Sequence, residues 1–183
     1  MAKLKIYTFP DMVLAQKALP IARVDHSYFK IADDMLETMY DAPGIGLAAN
    51  QVGLLERLVV IDVDYSPDEE DEQINPDQET LKKNPIILIN PEIIYREGAT
   101  VTREGCLSVP DFRSEVKRAE KIKVKYQNVD GLQKELSAEG LLSVCIQHEL
   151  DHLEGTLFID RLSQLKKDFA KKKLIKTRRE RER

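Results

Sequence analysis

The chain of 183 residues contains no tryptophan, only three histidines and only two cysteines. Two cysteines do not make a disulfide framework, and their scarcity is typical of proteins from a reducing compartment. No apolar run approaches the about 20 residues of a membrane-spanning helix, and the first residues lack the apolar core of a secretory signal peptide. We therefore expect a cytoplasmic protein with no membrane partner, folded as one domain of ordinary size.

The sequence also lacks the patterns of a phosphate-binding loop. Its glycine-rich segment, residues 42–53, contains neither Gly-x-Gly-x-x-Gly nor a Lys-Ser/Thr pair after the glycines. Gly44 and Gly46 bracket Ile45, which indicates that the backbone closely approaches another group there, and Gln51 offers a side-chain amide donor. On its own the segment is typical of a turn that enters a buried strand or helix, so we exclude a nucleotide site.

Two of the three histidines belong to a His-Glu-x-x-His pattern at residues 148–152. In an α-helix with 3.6 residues per turn, His148 and His152 project from the same face. Two imidazoles placed in this way can bind one metal ion, with Glu149 within reach of a water on that ion. The other interpretation is a solvated helix face that carries two unrelated histidines.

The residues before this pattern favour the metal. Residues 138–146 have helical periodicity, and Leu141, Val144 and Cys145 recur on the face that carries His148. A face that is otherwise apolar and buried leaves two polar rings in need of partners, and a shared metal ion is a partner for both. The helix therefore predicts two ligands of a hydrolytic metal site.

A third ligand has to come from elsewhere, because hydrolytic metal sites commonly use three protein ligands and one open position. With His26 as the only other histidine, the candidates are cysteine, aspartate and glutamate. Cys145 lies on the same helix as the two histidines, so we place it on the wall of the pocket. Cys106 follows Gly105, which permits a crowded backbone, and precedes Pro110, which stiffens the exit. Cys106 is therefore the preferred ligand, although most free cysteines are simply small buried residues.

Three segments resemble the signature motifs of the peptide deformylase family: residues 44–51 (GIGLAANQ), 104–110 (EGCLSVP) and 147–155 (QHELDHLEG). Their order and separation also fit the bacterial, iron-dependent form, and the likeness runs from Tyr7 to about Leu165. The resemblance implies a hydrolase that removes the N-terminal formyl group from the formyl-methionine of newly synthesised polypeptides and releases formate. N-formyl-methionyl nascent peptides are then its partners.

The resemblance also assigns a role to individual residues. The metal ligands are Cys106, His148 and His152. Glu149 takes a proton from water and later passes it to the departing amine, while Gln51 and the backbone N–H of Leu107 stabilise the developing oxyanion. One thiolate and two imidazoles suit several metals. The resemblance implies Fe(II), for which Zn(II), Ni(II) or Co(II) can substitute.

A substrate pocket follows from the same resemblance, with eight lining residues: Ile45, Gly46, Glu104, Gly105, Arg113, Leu141, Val144 and Cys145. Glu104 is expected to form a buried ion pair with Arg118 that supports residues 104–110, called the cysteine segment below. Arg113 is placed at the pocket mouth. For the apolar members, the alternative is ordinary core packing.

Hydrophobic periodicity predicts the secondary structure around these motifs. An amphipathic helix is expected over residues 27–40, with Phe29, Ile31, Ala32, Met35, Leu36 and Met39 on its buried side. Strands are expected at residues 57–63, 85–96, 121–128 and 132–136, the last two joined by a turn at Asp130–Gly131. The predicted fold class is α+β, with antiparallel sheets packed around a central helix that carries the histidines, and with a C-terminal helix.

Two segments differ from the rest in charge. Residues 67–79 contain seven acidic residues and no basic one, which predicts a solvated loop or, less simply, a lid over the peptide groove. Residues 166–183 contain ten Lys/Arg and three acidic residues, a net charge of +7, and we separate this basic tail from a catalytic domain at 1–165. The apolar residues of the tail region form a partial helical stripe: Leu162, Leu165, Phe169 and Leu174. The tail is either a solvated terminal helix or a ribosome-docking element that neutralises phosphates; we expect no binding to DNA.

Two other functions compete with deformylation. One is a zinc metalloprotease with the same histidine pattern, which would take Glu154 or Asp160 as its third ligand. The other is a non-catalytic, metal-stabilised module that binds RNA through the basic tail. A purely structural zinc site is four-coordinate and closed, which would leave Glu149 without a role.

Overall fold

The computed structural model describes residues 3–65 and 83–181. This part of the chain contains three α-helices: α1 (Ser27–Asp41), α2 (Gly140–Leu153) and α3 (Gln164–Arg181). Its seven strands are β1 (Gly46–Ala48), β2 (Leu58–Ile61), β3 (Ile86–Glu97), β4 (Thr100–Cys106), β5 (Val109–Arg118), β6 (Lys121–Gln127) and β7 (Gln133–Glu139). Five strands form an antiparallel sheet in the order β1-β2-β3-β6-β7, while β4 and β5 form a separate hairpin. The predicted α+β class is confirmed.

The five-stranded sheet is packed between two helices, and strand β2 shows why. Its four residues are all buried, because alternate side chains point to opposite faces and both faces are covered. Val59 and Ile61 pack in the cluster that contains the apolar side of α2. Leu58 and Val60 pack in the cluster that contains α1. Helix α2 therefore lies with one side on the sheet, and His148 and Asp151 of the same helix contact the hairpin β4–β5.

Helix α2 begins later than its periodicity predicts. Ala138 and Glu139, which were expected to be helical, still belong to β7, and the helix begins at Gly140. Gly140 has φ +59°, a left-handed conformation that lets the strand turn directly into the helix. The predicted end near Gly155 is confirmed: this residue has φ +70°, and a Cβ atom there would lie 2.6 Å from the carbonyl oxygen of Ala15.

The other predicted elements are confirmed with small shifts at their ends. Helix α1 buries Ala32, Met35, Leu36 and Met39, whereas Phe29 is exposed. Residues 128–132 form the predicted turn between β6 and β7, with Gly131 at φ +78°. The hairpin β4–β5 was not predicted. The acidic segment 67–79 lies outside the described residues. No helix in the described ranges is both long enough and apolar enough to cross a bilayer.

Helix α3 packs on the body through only part of the predicted stripe. Ala170 and Leu174 are buried in a cluster with Val109 and Phe158, whereas Leu165 is 82% exposed and Phe169 is 65% exposed. The helix is also tied down by ion pairs near its end, from Arg178 to Asp11 at 2.9 Å and from Arg181 to Asp111. The division of the chain at 165/166 stays a prediction, and α3 runs across it.

A chain of alternating charges joins the hairpin β4–β5 to helix α2. Arg118 binds the carboxylate of Glu104 with two hydrogen bonds of 2.7 and 2.8 Å, so the predicted buried ion pair is confirmed. Arg118 also donates to Asp151 of α2 at 2.5 Å, and Asp151 in turn accepts from Arg161. The sequence did not predict the last two partners. These contacts fix the distance between the cysteine segment and the histidine helix.

We expect Arg118→Met to destabilise the fold by about 3–5 kcal/mol, because it leaves the carboxylates of Glu104 and Asp151 buried without their shared cation. Denaturant unfolding measures this as a lower midpoint. The matched control is Lys117→Met, one residue earlier on the exposed face of β5, where we expect a change within about 0.5 kcal/mol. Equal stability of the two variants would contradict the structural role given to Arg118.

Candidate metal centre

The structure brings one thiol and two imidazoles together. The ligand atoms of Cys106, His148 and His152 all lie within 4.8 Å of one another, and the Sγ of Cys106 is 3.2 Å from Nε2 of His152. In a tetrahedral centre with bonds of ~2.3 Å to sulfur and ~2.0 Å to nitrogen, neighbouring ligand atoms are roughly 3.5 Å apart. The three atoms therefore fit one divalent ion with only small adjustments.

Cys106 is held at the end of β4 by the geometry of the hairpin. Leu107 and Ser108 alone separate β4 from β5, and the register is irregular between Glu104 and Cys106. The N–H of Ser108 donates to the Sγ of Cys106 at 3.4 Å, and its carbonyl accepts from Phe9 at 2.8 Å. The thiolate is the form of cysteine that binds metal.

The ring of His148 is oriented by Glu104. Burial would raise the pKa of Glu104, but the hydrogen bonds from Arg118 and His148 outweigh burial and lower the pKa to about 2. The carboxylate is therefore ionised and only accepts, so Nδ1 of His148 donates to it at 2.8 Å and leaves Nε2 for a metal. The ring of Phe158 stacks on that of His148, with centroids 6.0 Å apart.

The surroundings shift the pKa values of the two histidines in opposite directions. Burial lowers the pKa of His152 well below its ordinary value, which keeps this imidazole neutral and able to bind metal. Burial also disfavours the protonated form of His148, but the hydrogen bonds with Cys106 and Glu104 outweigh it and raise the pKa of His148. The acidic neighbours Cys106, Glu104 and Glu149 therefore favour positive charge at His148, whereas His152 stays neutral.

Glu149 is buried beside this group with one oxygen free. Burial raises the pKa of Glu149 to about 7, and its Oε2 has no hydrogen-bond partner among the described residues. A Cβ atom at Gly46 would lie 2.5 Å from Oε1 of Glu149 and 2.8 Å from Sγ of Cys145. Glycine at position 46 therefore makes the room that the carboxylate occupies. A carboxylate with a pKa near neutrality is suited to exchange a proton with water.

The amide of Gln51 is oriented by two neighbours. Its Oε1 accepts from the N–H of Ala48 at 2.8 Å, which turns Nε2 toward the cysteine segment. Nε2 donates to Oγ of Ser108 at 3.1 Å and lies 3.6 Å from Sγ of Cys106. Ser108 is fully buried and was not predicted to belong to the site.

A cleft of about 860 Å³ opens onto the candidate metal ligands and is lined by Cys106 and His148. All eight residues that were predicted to bind substrate line it: Ile45, Gly46, Glu104, Gly105, Arg113, Leu141, Val144 and Cys145. Leu141 lines this cleft but is 55% exposed, because the first turn of α2 reaches the surface; its predicted burial is wrong. The cleft also has lining residues that were not predicted: Val63, Tyr65, Arg103 and Phe112.

The two acidic residues that a zinc metalloprotease would recruit are engaged elsewhere. Glu154 forms ion pairs with Lys17 and Arg57 at 2.6 and 2.5 Å. Asp160 forms ion pairs with two lysines of α3 at 2.8 and 3.3 Å. Neither belongs to the ligand group formed by Cys106 and the two histidines in the described residues. The geometry therefore favours the thiol as the third ligand.

The sequence did not predict several residues that orient the site: Ser108, Asp151, Phe158 and Arg161. Asp151 occupies a position of the histidine pattern where any residue is allowed, so the pattern itself could not select it. The partners of the other three come from distant parts of the chain. One signal was available for Phe158, which is the large aromatic residue nearest after the motif.

Comparisons with known proteins agree with this geometry. The model of the family described as polypeptide deformylase matches residues 3–168. A peptide deformylase from Nitrosococcus oceani is 50% identical over 98% of this chain and 98% of its own length, and one from Alkalilimnicola ehrlichii is 48% identical over 96% and 91%. The crystal structure of a peptide deformylase from Legionella pneumophila is 42% identical, with a TM-score of 0.82 over 100% of this chain and 99% of that one.

A second solved structure, a peptide deformylase from Ehrlichia chaffeensis in complex with actinonin, has a TM-score of 0.84 and 39% identity over 97% of this chain and 98% of that one. The likeness therefore extends over nearly the whole chain, in sequence and in fold alike. It includes the strands and the helix that carry the thiol, the two histidines and the buried carboxylate. This chain belongs to the polypeptide deformylase family.

Proposed function

We propose that the protein hydrolyses the formyl amide at the N-terminal methionine of newly synthesised polypeptides and releases formate. The observation that carries this function is the convergence of one thiol, two imidazoles and a buried carboxylate at the bottom of a cleft. Membership of the family supports the same reaction. The lining of the cleft includes the apolar residues Ile45, Val144 and Cys145.

Cys106, His148 and His152 would hold the divalent ion. When bound, such an ion lowers the pKa of water and polarises a carbonyl oxygen. Two features of this chain prepare the ligands: the N–H of Ser108 on the sulfur, and the carboxylate of Glu104 on the ring of His148. The donor set also suits a softer transition metal better than magnesium or calcium, which prefer oxygen ligands.

Glu149 acts as the general base and then as the general acid. It takes the proton from the attacking water, and it gives that proton to the amine nitrogen as the bond between carbon and nitrogen breaks. A base that is half protonated near neutral pH can carry out both transfers, and burial gives Glu149 such a pKa, about 7. Gly46 leaves the side chain enough room to lie beside the reacting carbon.

The developing negative charge on the formyl oxygen is stabilised by two donors. Nε2 of Gln51 is already turned toward Cys106 by the contact between its own oxygen and Ala48. The backbone N–H of Leu107 lies in the turn that follows the cysteine. Donors held in place before the reaction do not have to reorganise, and losing one such donor typically costs ~10²–10³ in turnover.

The methionine side chain enters the apolar end of the cleft, between the glycine-rich segment and the helix. Its walls are Ile45, Gly46, Val144 and Cys145, with Leu141 at the rim. An unbranched thioether suits a slot of this kind, since it bends to fit an irregular apolar surface. We further propose that Fe(II) is the ion under working conditions, and that Zn(II), Ni(II) or Co(II) can replace it.

Helix α3 is proposed to dock the enzyme on the ribosome. Its outward side presents five exposed cations: Lys166, Lys172, Lys173, Lys176 and Arg179. The face that packs on the body uses other residues, so these cations remain accessible to phosphates. Docking would place the cleft near emerging chains that still carry their formyl group.

The reaction is tested by formate release from formyl-Met-Ala-Ser. Iron-loaded protein is expected to release formate faster than zinc-loaded protein. Glu149→Gln should lower turnover by about 10²–10⁴-fold, because the amide has nearly the same shape but cannot accept the proton. Its metal content should match that of the unchanged protein. Full turnover of Glu149→Gln would contradict the proposed base and would support a structural metal site instead.

The ligand set is tested by metal content after dialysis against a chelator. The metal content of the Cys106→Ala variant should fall from about one ion per chain toward none, because two imidazoles alone bind a metal ion weakly. Cys145→Ala is the matched control, since this thiol also lines the cleft but contacts the carbonyl of Ile45 instead of the histidines. It should keep its ion. An ion retained by Cys106→Ala would return Glu154 and Asp160 to consideration.

Ribosome docking is tested by co-sedimentation of a variant in which four cations become glutamine: Lys172, Lys173, Lys176 and Arg179. The slope of log affinity against log salt should become shallower by about 3, as expected when four phosphate contacts are lost. Turnover of a short formyl-Met peptide should be unchanged.

The matched control makes the same charge change on exposed strand positions: Lys117, Lys121, Lys125 and Lys134. We expect this variant to co-sediment with ribosomes as the unchanged protein does. Equal losses in both variants would show a general charge effect, and no loss in the helix variant would refute docking through α3.

A further inference from the structure

Two arginines at the mouth of the cleft have no partner in the described part of the chain. Arg103 lies on β4 and Arg113 on β5; both line the cleft and both are exposed. Neither side chain forms an ion pair or a hydrogen bond with a described residue. Glu115 is the strand partner of Arg103, but it forms no ion pair with it and does not line the cleft.

The acidic residues that line the same cleft are engaged in other contacts. Glu104 is bound by Arg118 and by His148, and Asp111 is paired with Arg181 of helix α3. Glu149 lies at the reaction centre. The charges left free at the mouth are therefore both positive. They stand out because residues 1–165 carry a net charge of −11, which by itself repels acidic ligands.

The two arginines lie where a bound peptide would leave the reaction centre. Cγ and Nε of Arg113 lie 3.3 Å from the position of a Cβ atom on Gly105, so this side chain covers the residue next to Cys106. Arg103 precedes Cys106 by three residues, about 10 Å along an extended strand. Among the described strands, β4 pairs with β5 alone, which leaves its other edge open to an extended peptide.

An extended substrate that begins at the metal group and follows this edge advances at about 3.3 Å per residue. The residues that reach the arginines are then the second, third and fourth of the substrate. We propose that Arg103 and Arg113 make the enzyme select formylated chains that carry an aspartate or glutamate at one of these three positions. This inference rests on the deformylase activity proposed above and adds a preference to it.

The preference is measured as kcat/KM for C-terminally amidated peptides, which carry no terminal carboxylate. One series is formyl-Met-Ala-Ala-Ala with aspartate placed second, third or fourth, and a parallel series carries lysine there. Exposed ion pairs are worth about twofold to fivefold each, so the best aspartate peptide should exceed its lysine counterpart by about tenfold. The advantage should appear in KM, and it should nearly vanish at about 1 M salt, where charges are screened within ~3 Å.

Charge reversal separates recognition from folding. Arg103→Glu and Arg113→Glu should each lower the ratio of aspartate to lysine kcat/KM, and together they should invert it. Because the ratio compares two substrates of one variant, general damage to the enzyme cancels. Lys117→Glu makes the same charge change on β5 away from the cleft, and it should leave the ratio within about twofold of the unchanged protein.

Three results would overturn the inference. Equal kcat/KM for the aspartate, alanine and lysine peptides would do so while leaving the deformylase activity in place. A preference that survives both arginine substitutions would place its origin elsewhere. If no formylated peptide is hydrolysed by metal-loaded protein, the proposed function fails, and the preference fails with it.

Discussion

The pairing of Arg118 with Glu104 is the interaction on which the rest of the site depends. It lies fully inside the protein, and each partner also holds a second group, since Glu104 orients the ring of His148 and Arg118 binds Asp151 of helix α2. A buried pair of this kind is costly to assemble and still more costly to break. It therefore holds the segment that carries the thiol at a fixed distance from the helix that carries the imidazoles.

A second constraint is the close approach of the glycine-rich segment to the helix. Gly46 touches Glu149 so closely that even a methyl group would collide with the carboxylate. The same contact excludes water from one side of Glu149, and that burial raises the pKa of its carboxyl to about 7. The absence of a side chain at Gly46 thus leaves room for the buried carboxylate of Glu149. The same packing brings Ile45 and Gly46 opposite Val144 and Cys145 at the apolar part of the cleft.

Local patterns allowed the centre of the site to be predicted from the sequence. The two histidines are four residues apart on one helix, and this spacing fixes their relation without any knowledge of the fold. The thiol was identified from its setting between Gly105 and Pro110 and from the resemblance of its segment to a family motif. Periodicity gave the direction of Leu141 but not its depth, and so its burial was wrongly predicted.

What escaped prediction depends on contacts between distant elements. The hairpin β4–β5 was missed because its inward positions include Glu104 and Arg118, so the apolar alternation of a strand is absent. Asp151 and Arg161 were missed because their structural role depends on tertiary contacts: Asp151 accepts hydrogen bonds from Arg118 and from Arg161. No spacing in the sequence predicts these contacts. The first turn of α2 was misplaced because Gly140 permits a left-handed conformation that only the three-dimensional path requires.

The separation of the ligands along the sequence has a consequence for the stability of the native state. Cys106 and His148 are separated by three strands, so an unfolded chain holds the two imidazoles near each other but not the sulfur. An ion that needs all three donors therefore favours the native state over the denatured one, by an amount that grows with its free concentration. The supply of metal in the surroundings thus governs how long each molecule resists unfolding, as well as whether it turns over substrate.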